Sequence, residues 1–228
     1  MAFSLVASDL NNSGSGTSIS GVALSGRNAG ELVVVFVSTS GDVTVSSATA
    51  GGDAMTVGTR VAVSSPDDVT IAYLVLPSGG DKTIAMSFSG STIWSVSAVA
   101  FAQDAGTIAF DVEGGASGSV DAGGGNQPSV VLATTVDGDL LVGINSSSGG
   151  EPAVGTTPIA YTGIAMSDAN WWSNAEYALN AGTAGSKTVN FTQNASSTWA
   201  LKAMAFKVVG AAGGKPWAYY QRQRTKAA

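Results

Sequence analysis

KTIAMSFSGSTIWSVSAVAF, residues 82–101, is answered further along the chain by KTVNFTQNASSTWALKAMAF, residues 187–206. At a constant offset of 105 and without a gap, Lys82 matches Lys187, Thr83 matches Thr188, Ser91 matches Ser196 and Trp94 matches Trp199. Ala98, Ala100 and Phe101 likewise match Ala203, Ala205 and Phe206. The first copy alternates at period two, with Trp94, Val96, Ala98 and Ala100 on one side and Val99 and Phe101 on the other. That is the pattern of a strand and not of a helix. A second echo lies upstream at an offset of 108: Gly30-Glu31-Leu32-Val33-Val34 against Gly138-Asp139-Leu140-Leu141-Val142, reaching back to Val22-Ala23-Leu24 against Val130-Val131-Leu132. The halves, 1–109 and 110–209, each hold too few strong strands to bury both faces alone. One domain over 1–209 with intertwined halves is therefore expected.

The remaining strand signals agree. Val69 to Val75 puts Val69, Ile71, Tyr73 and Val75 on one face, and the continuous apolar run Leu32 to Val37 predicts a central strand covered on both sides. Turns are marked by Ser40-Gly41-Asp42, Gly51-Gly52-Asp53, Pro77-Ser78-Gly79-Gly80-Asp81 and Asp137-Gly138-Asp139. No stretch carries a helical period with caps. The expectation is an all-β jelly-roll or Greek-key sandwich built from two internally duplicated halves, each sheet drawing strands from both. The alternative is two sandwiches side by side, joined near 105–128, where the Gly-rich Gly114 to Gly125 would serve as linker or crossover loop.

Composition narrows the chemistry. Charged residues make up 11% of the chain, against the usual quarter or so, while 44% is hydrophobic, so the chain should fold. A surface finished with Ser, Thr, Asn and Gly suits burial in assembly contacts, and secreted and glycan-facing proteins share it. The absence of Cys and His removes disulfides, thiolate chemistry, Ser-His-Asp catalysis and the commonest metal ligands. Asp53, Asp67, Asp68, Asp137 and Asp139 sit where turn chemistry wants Asp, without the spacing of a calcium loop. Glu31, Glu113, Glu151 and Glu176 show no spacing that pairs them for glycoside hydrolysis. No catalytic residue, metal site or cofactor is expected. The start Met1-Ala2-Phe3-Ser4 lacks a secretory pattern, and no apolar stretch is long enough for a membrane span. Synthesis in a cytoplasm without export is the expectation.

The end of the chain changes character. Residues 210–214 read as a flexible Gly/Ala linker, and 215–228 as a basic, aromatic arm. Residues 1–214 carry 6 basic and 16 acidic groups, a sum of −10, while the last 14 residues carry +4. Trp217, Tyr219, Tyr220, Arg222 and Arg224 are of the types that anchor interfaces, so the arm reads as a docking peptide. Four cations against so acidic a body make a poor nucleic-acid footprint. Trp94 and Trp199 read as core residues of the repeat. Trp171 and Trp172 have no counterpart in the first half, and adjacent strand residues face opposite ways. At least one is therefore expected outside the core or at a rim. With Asp168 and Asn170 they form either a candidate glycan platform, a ring face beside polar forks, or a loop plug against a neighbouring subunit.

The succession Gly30-Glu31-Leu32-Val33-Val34, a Tyr73-containing strand, the Pro77 turn, Phe88-Ser89-Gly90 and Ala98-Val99-Ala100-Phe101 recurs as Gly138-Asp139-Leu140-Leu141-Val142 and Trp199 to Lys207. Over residues 3–209 this resembles β-sandwich domains of tailed-bacteriophage and prophage structural proteins, and of some bacterial surface proteins. The resemblance implies a virion component: a capsid decoration (cement) protein, a head spike, or a tail or fibre module. It implies a homo-oligomer bound to other virion proteins, and carries no catalytic residues. The rival expectation is a carbohydrate-binding adhesin or tail-fibre module recognising host surface polysaccharide.

Overall fold

The computed structural model describes residues 2–63, 68–120, 125–166, 172–193 and 195–210. All regular structure among them is strand. The first half holds β1 (Phe3–Arg27), β2 (Leu32–Thr39), β3 (Val45–Ala50), β4 (Asp53–Ala54), β5 (Thr56–Val57), β6 (Val61–Ala62), β7 (Asp68–Val75) and β8 (Gly80–Gln103). The second holds β9 (Thr107–Val120), β10 (Ser129–Thr134), β11 (Leu140–Ser147), β12 (Ala153–Val154), β13 (Thr162–Ala165), β14 (Trp172–Ala178), β15 (Gly185–Thr192) and β16 (Ser197–Val209).

Among the described residues every pairing is antiparallel and stays within one half. The expectation that each sheet mixes strands from both halves is therefore corrected. The connections are short, and short connections favour pairing between sequence neighbours. β1 and β8 form one ribbon of unusual length that serves two layers. Residues 3–16 pair with 92–103, and residues 18–27 with 80–87, across a break in register between Gly16 and Ser18. Gly16 takes φ +134° at this break, a conformation that residues with a Cβ rarely adopt. Beyond the bend, β3 joins β8; before it, β2 and β7 extend the other layer.

The second half follows the same scheme with its ribbon cut in two. β9 pairs with β16, and β10 pairs with β15. Leu32 faces Phe101 and Thr39 faces Trp94, just as Leu140 faces Phe206 and Ser147 faces Trp199. Val34 faces Tyr73 as Val142 faces Tyr177. Gly14 lies opposite Trp94 and Gly118 opposite Trp199, and in each pair a Cβ on the glycine would come within 3 Å of the indole. Small and large thus interlock across each outer strand pair.

Three apolar seams separate four layers. The seam between the halves interleaves Leu32, Val34, Phe36, Val99 and Phe101 with Leu140, Val142, Ile144, Met204 and Phe206. Val33, Val35 and Val37 point the other way, against Val22, Leu24, Ile84 and Met86. β2 is buried along its whole length on both faces, as its unbroken apolar run predicts. Leu141, Ala203 and Ala205 pack outward on Leu132 and Val189, with Trp199, Leu201 and Phe191 beside them. Trp94 is half-buried against the first-half core, and Trp199 is buried.

The glycine-rich stretch beginning at Gly114 also corrects an expectation, because Gly114 through Gly118 lie inside β9 and not in a loop. Gly115 faces Val61 of the first half so closely that a Cβ would overlap a valine methyl, and on Gly114 a Cβ would stand 2.9 Å from Leu132. These glycines permit close approach of neighbouring layers.

Candidate functional site

The contacts across the central seam are reciprocal. Tyr73 packs edge-on against Phe206 at 5.0 Å, and Phe101 packs edge-on against Tyr177 at 5.4 Å. The hydroxyl of Ser38 donates to that of Ser146 at 3.0 Å, and Ser173 donates to the same oxygen at 3.2 Å. Among the described residues an ion pair lies in this seam. Lys202 of β16, buried to 2% exposure, holds Glu113 of β9 at 3.0 Å, and Thr59 of the first half donates to the other carboxylate oxygen at 2.8 Å. Donation from Lys202 and Thr59 outweighs the cost of burial and holds the Glu113 carboxyl below its usual range.

Two shallow clefts lie where each half begins its buried central strand. One, of about 300 Å³, is lined by Asn28, Gly30, Glu31, Ala102, Gln103 and Gly106 among others. The other, of about 370 Å³, is lined by Thr135, Val136, Asp137, Gly138, Ala184 and Val208. Glu31 and Asp139 enter β2 and β11, as the repeat predicts, and each is buried. Glu31 receives Arg27 at 3.2 Å and Asn28 at 2.7 Å. Asp139 meets a second carboxyl, that of Asp111. Burial, then the facing Asp111, push Asp139 up to about 7. Asp111 is held down to about 2, because donors from Lys207 and Thr135 overcome its burial.

Elsewhere the acids engage separate partners. Arg60 bridges Asp42 and Asp68, and burial still raises Asp68 to about 6 despite the guanidinium 2.8 Å away. Asp53 lies in β4 and meets Lys82 at 3.5 Å, so Asp53 and Asp68 are strand residues with cationic partners and not simple turn formers. Asp67 lies outside the described residues. Asp137 keeps its turn role, accepting from the Ala184 amide at 2.7 Å. Glu176 is fully buried in β14; one carboxylate oxygen accepts from the Gly155 amide at 2.8 Å, and burial pushes its carboxyl up to about 8. Glu31, Glu113 and Glu176 do not converge on one cleft. Among the described residues no group of three acids, histidines or cysteines is placed to hold a metal ion.

Of the glycan candidates, Trp172 opens β14 and is 47% exposed, opposite Ser147. Asp168, Asn170 and Trp171 lie outside the described residues, as do Trp217, Tyr219, Tyr220, Arg222 and Arg224 of the arm. The Asp111–Asp139 contact and the burial of Glu176 escaped sequence reasoning, since neither has a motif; the Glu31/Asp139 echo was the one signal pointing toward the first. No protein-family model, curated protein or solved structure matches the chain.

Proposed function

We propose that this chain is a non-enzymatic structural protein of a tailed-bacteriophage virion, a capsid decoration (cement) or head-spike protein that attaches to a larger assembly through its C-terminal arm. In this reading the body is two duplicated jelly-roll units facing each other across a two-fold relation. The strand order supports the jelly roll: β1, β8, β2 and β7 lie side by side in one layer, while β1 and β8 continue with β3 in the next. The reciprocal pairs Tyr73–Phe206 and Phe101–Tyr177 support the two-fold relation, since in a self-complementary interface residue i touches j' and j touches i'.

The observation that carries the attachment reading is how the chain leaves the body. β16 runs between β11 and β9 and is buried from Trp199 to Phe206, and its exposed end, Val209, leads into the 210–214 linker and the basic, aromatic arm. A tether rooted in a central strand transmits load to the core and not to a loop. Many copies, each weakly held, then stabilise a lattice jointly. Deleting 215–228 is expected to leave the fold intact and abolish attachment to particles, read by co-sedimentation with purified shells. Retained attachment overturns the anchor, and absence of the chain from purified particles overturns the virion reading.

The exposure of Trp172 favours a second reading, a carbohydrate-binding adhesin or fibre module. Trp172→Ala separates the two. Loss of binding to host polysaccharide with normal particle assembly supports the adhesin.

A further inference from the structure

Asp111 and Asp139 bring two carboxyls together in a place that water scarcely reaches. Asp139 is 1% exposed as a residue, and the side chain of Asp111 is fully covered. Asp111 is saturated with donors: the Lys207 ammonium at 2.8 Å, the Thr135 amide at 2.7 Å and the Thr135 hydroxyl. Neither oxygen of Asp139 meets an N–H or O–H donor among the described residues. The charged groups facing Asp139 are Asp111 from β9, Lys207 from β16 and Asp137 from the turn before β11. A single proton held on Asp139 and donated to Asp111 satisfies both acids. Without it, two buried anions face each other while the Lys207 ammonium is engaged by Asp111.

The equivalent position in the other half is built with different partners. There Glu31 is met by Arg27 and Asn28. The exchange of a cation for a second acid is therefore local to the second half. It falls where Thr135, Asp137 and Gly138 wall the larger cleft beside Val208, at the root of the C-terminal segment.

We propose that Asp111 and Asp139 form a proton-operated catch that fastens the 135–139 turn to β9 and the end of β16. With the proton in place the turn is clamped through Thr135 and Asp139. When it leaves, repulsion between the carboxylates loosens the turn and opens the adjoining cleft. The folded-state affinities of the pair set the window: Asp139, raised to about 7, releases its proton as the pH passes neutrality, while Asp111 stays ionised throughout. The catch stands on the body alone, whatever the arm binds.

Amide hydrogen exchange of Thr135 to Asp139 in the full chain, corrected for intrinsic rates between about pH 5.5 and 8.5, tests it. The expected result is protection at least tenfold lower at the alkaline end in the native protein. Asp139→Asn is neutral at every pH and can still donate to Asp111, so its profile should be flat. Glu176→Gln, which removes the other strongly raised acid, should keep the native transition. A flat native profile overturns the catch, and so does a transition that survives in Asp139→Asn. Carboxyl carbon NMR on the native chain gives an answer that needs no variant: a midpoint for Asp139 near neutrality supports the catch, and one in the ordinary aspartate range overturns it.

Discussion

Glu176 stands where the first half has Ala72, and Gly143, opposite it, stands where the first half has Val35. The exchange of Val/Ala for Gly/Glu moves the bulk from one strand of the pair to the other, and the Val189 and Glu176 side chains crowd the space that a Cβ on Gly143 would enter. Burial then decides its titration. An acid raised from 4.5 to about 8 is protonated in the folded protein where the unfolded chain has already lost its proton. Its contribution to stability is complete below its unfolded value and falls as pH rises through the folded one, at about 1.4 kcal/mol per pH unit in between. Glu176→Gln should therefore be close to the native protein in stability near pH 5 and more stable than it at about pH 9. Urea denaturation at the two values checks this, and an unchanged difference between them counts against a buried, raised carboxyl. Nothing in the sequence marks this residue, because a lone Glu in an alternating strand reads as a solvent-facing position.

At the scale of elements, the described residues of the seam between the halves are mostly apolar, with Lys202, Glu113, the Thr59 hydroxyl and serine hydroxyls among them. Removing one partner of a buried pair strands the other, typically at a cost of about 3–5 kcal/mol, whereas replacing both with apolar groups of similar shape is often neutral. Glu113→Gln should be strongly destabilising, moderated by the partial exposure of Glu113, and Glu113→Gln with Lys202→Met should recover most of the loss. Thermal unfolding of the two variants checks this; equal losses would show that the pair contributes little. The strands of this seam were legible from period two and from the doubled motif: β2, β7, β8 and β16 lie where the alternation puts them. β9 was not, because glycine signals a loop until the neighbour that crowds it is known, and Val61 and Trp199 are remote in sequence. The bend that carries β1 and β8 through two layers was also hidden, since alternation is blind to a break in register. The choice between pairing within and between halves depends on connection geometry that a constant offset does not encode. Of the candidate site, the adjacency of Trp171 and Trp172 says that at least one of them lies outside the core without saying which; the carboxyl pair behind the larger cleft has no such signal.

At the scale of the whole molecule, each half supplies the cover for the other's central layer. Val34 and Phe36 would face water without Val142 and Phe206. The two are joined by residues 104–106 alone, between Gln103 at the end of β8 and Thr107 at the start of β9. The Ala2 amide donates to Asp104 at 3.1 Å, so the first strand begins beside this link. Under a two-fold relation, the step from the end of the second half back to Phe3 has the same span as the step from Gln103 to Thr107. A circular permutant that starts at Thr107, runs to Val209, crosses to Phe3 by a copy of Asp-Ala-Gly and ends at Gln103 should keep every strand pair. Far-UV circular dichroism like that of the native chain, with a single cooperative unfolding transition, is the expected outcome; aggregation or two separate transitions would refute the equal spans. Under that relation the polypeptide would describe a ring of two equal arcs, and which arc is made first would be a matter of where the ring is cut.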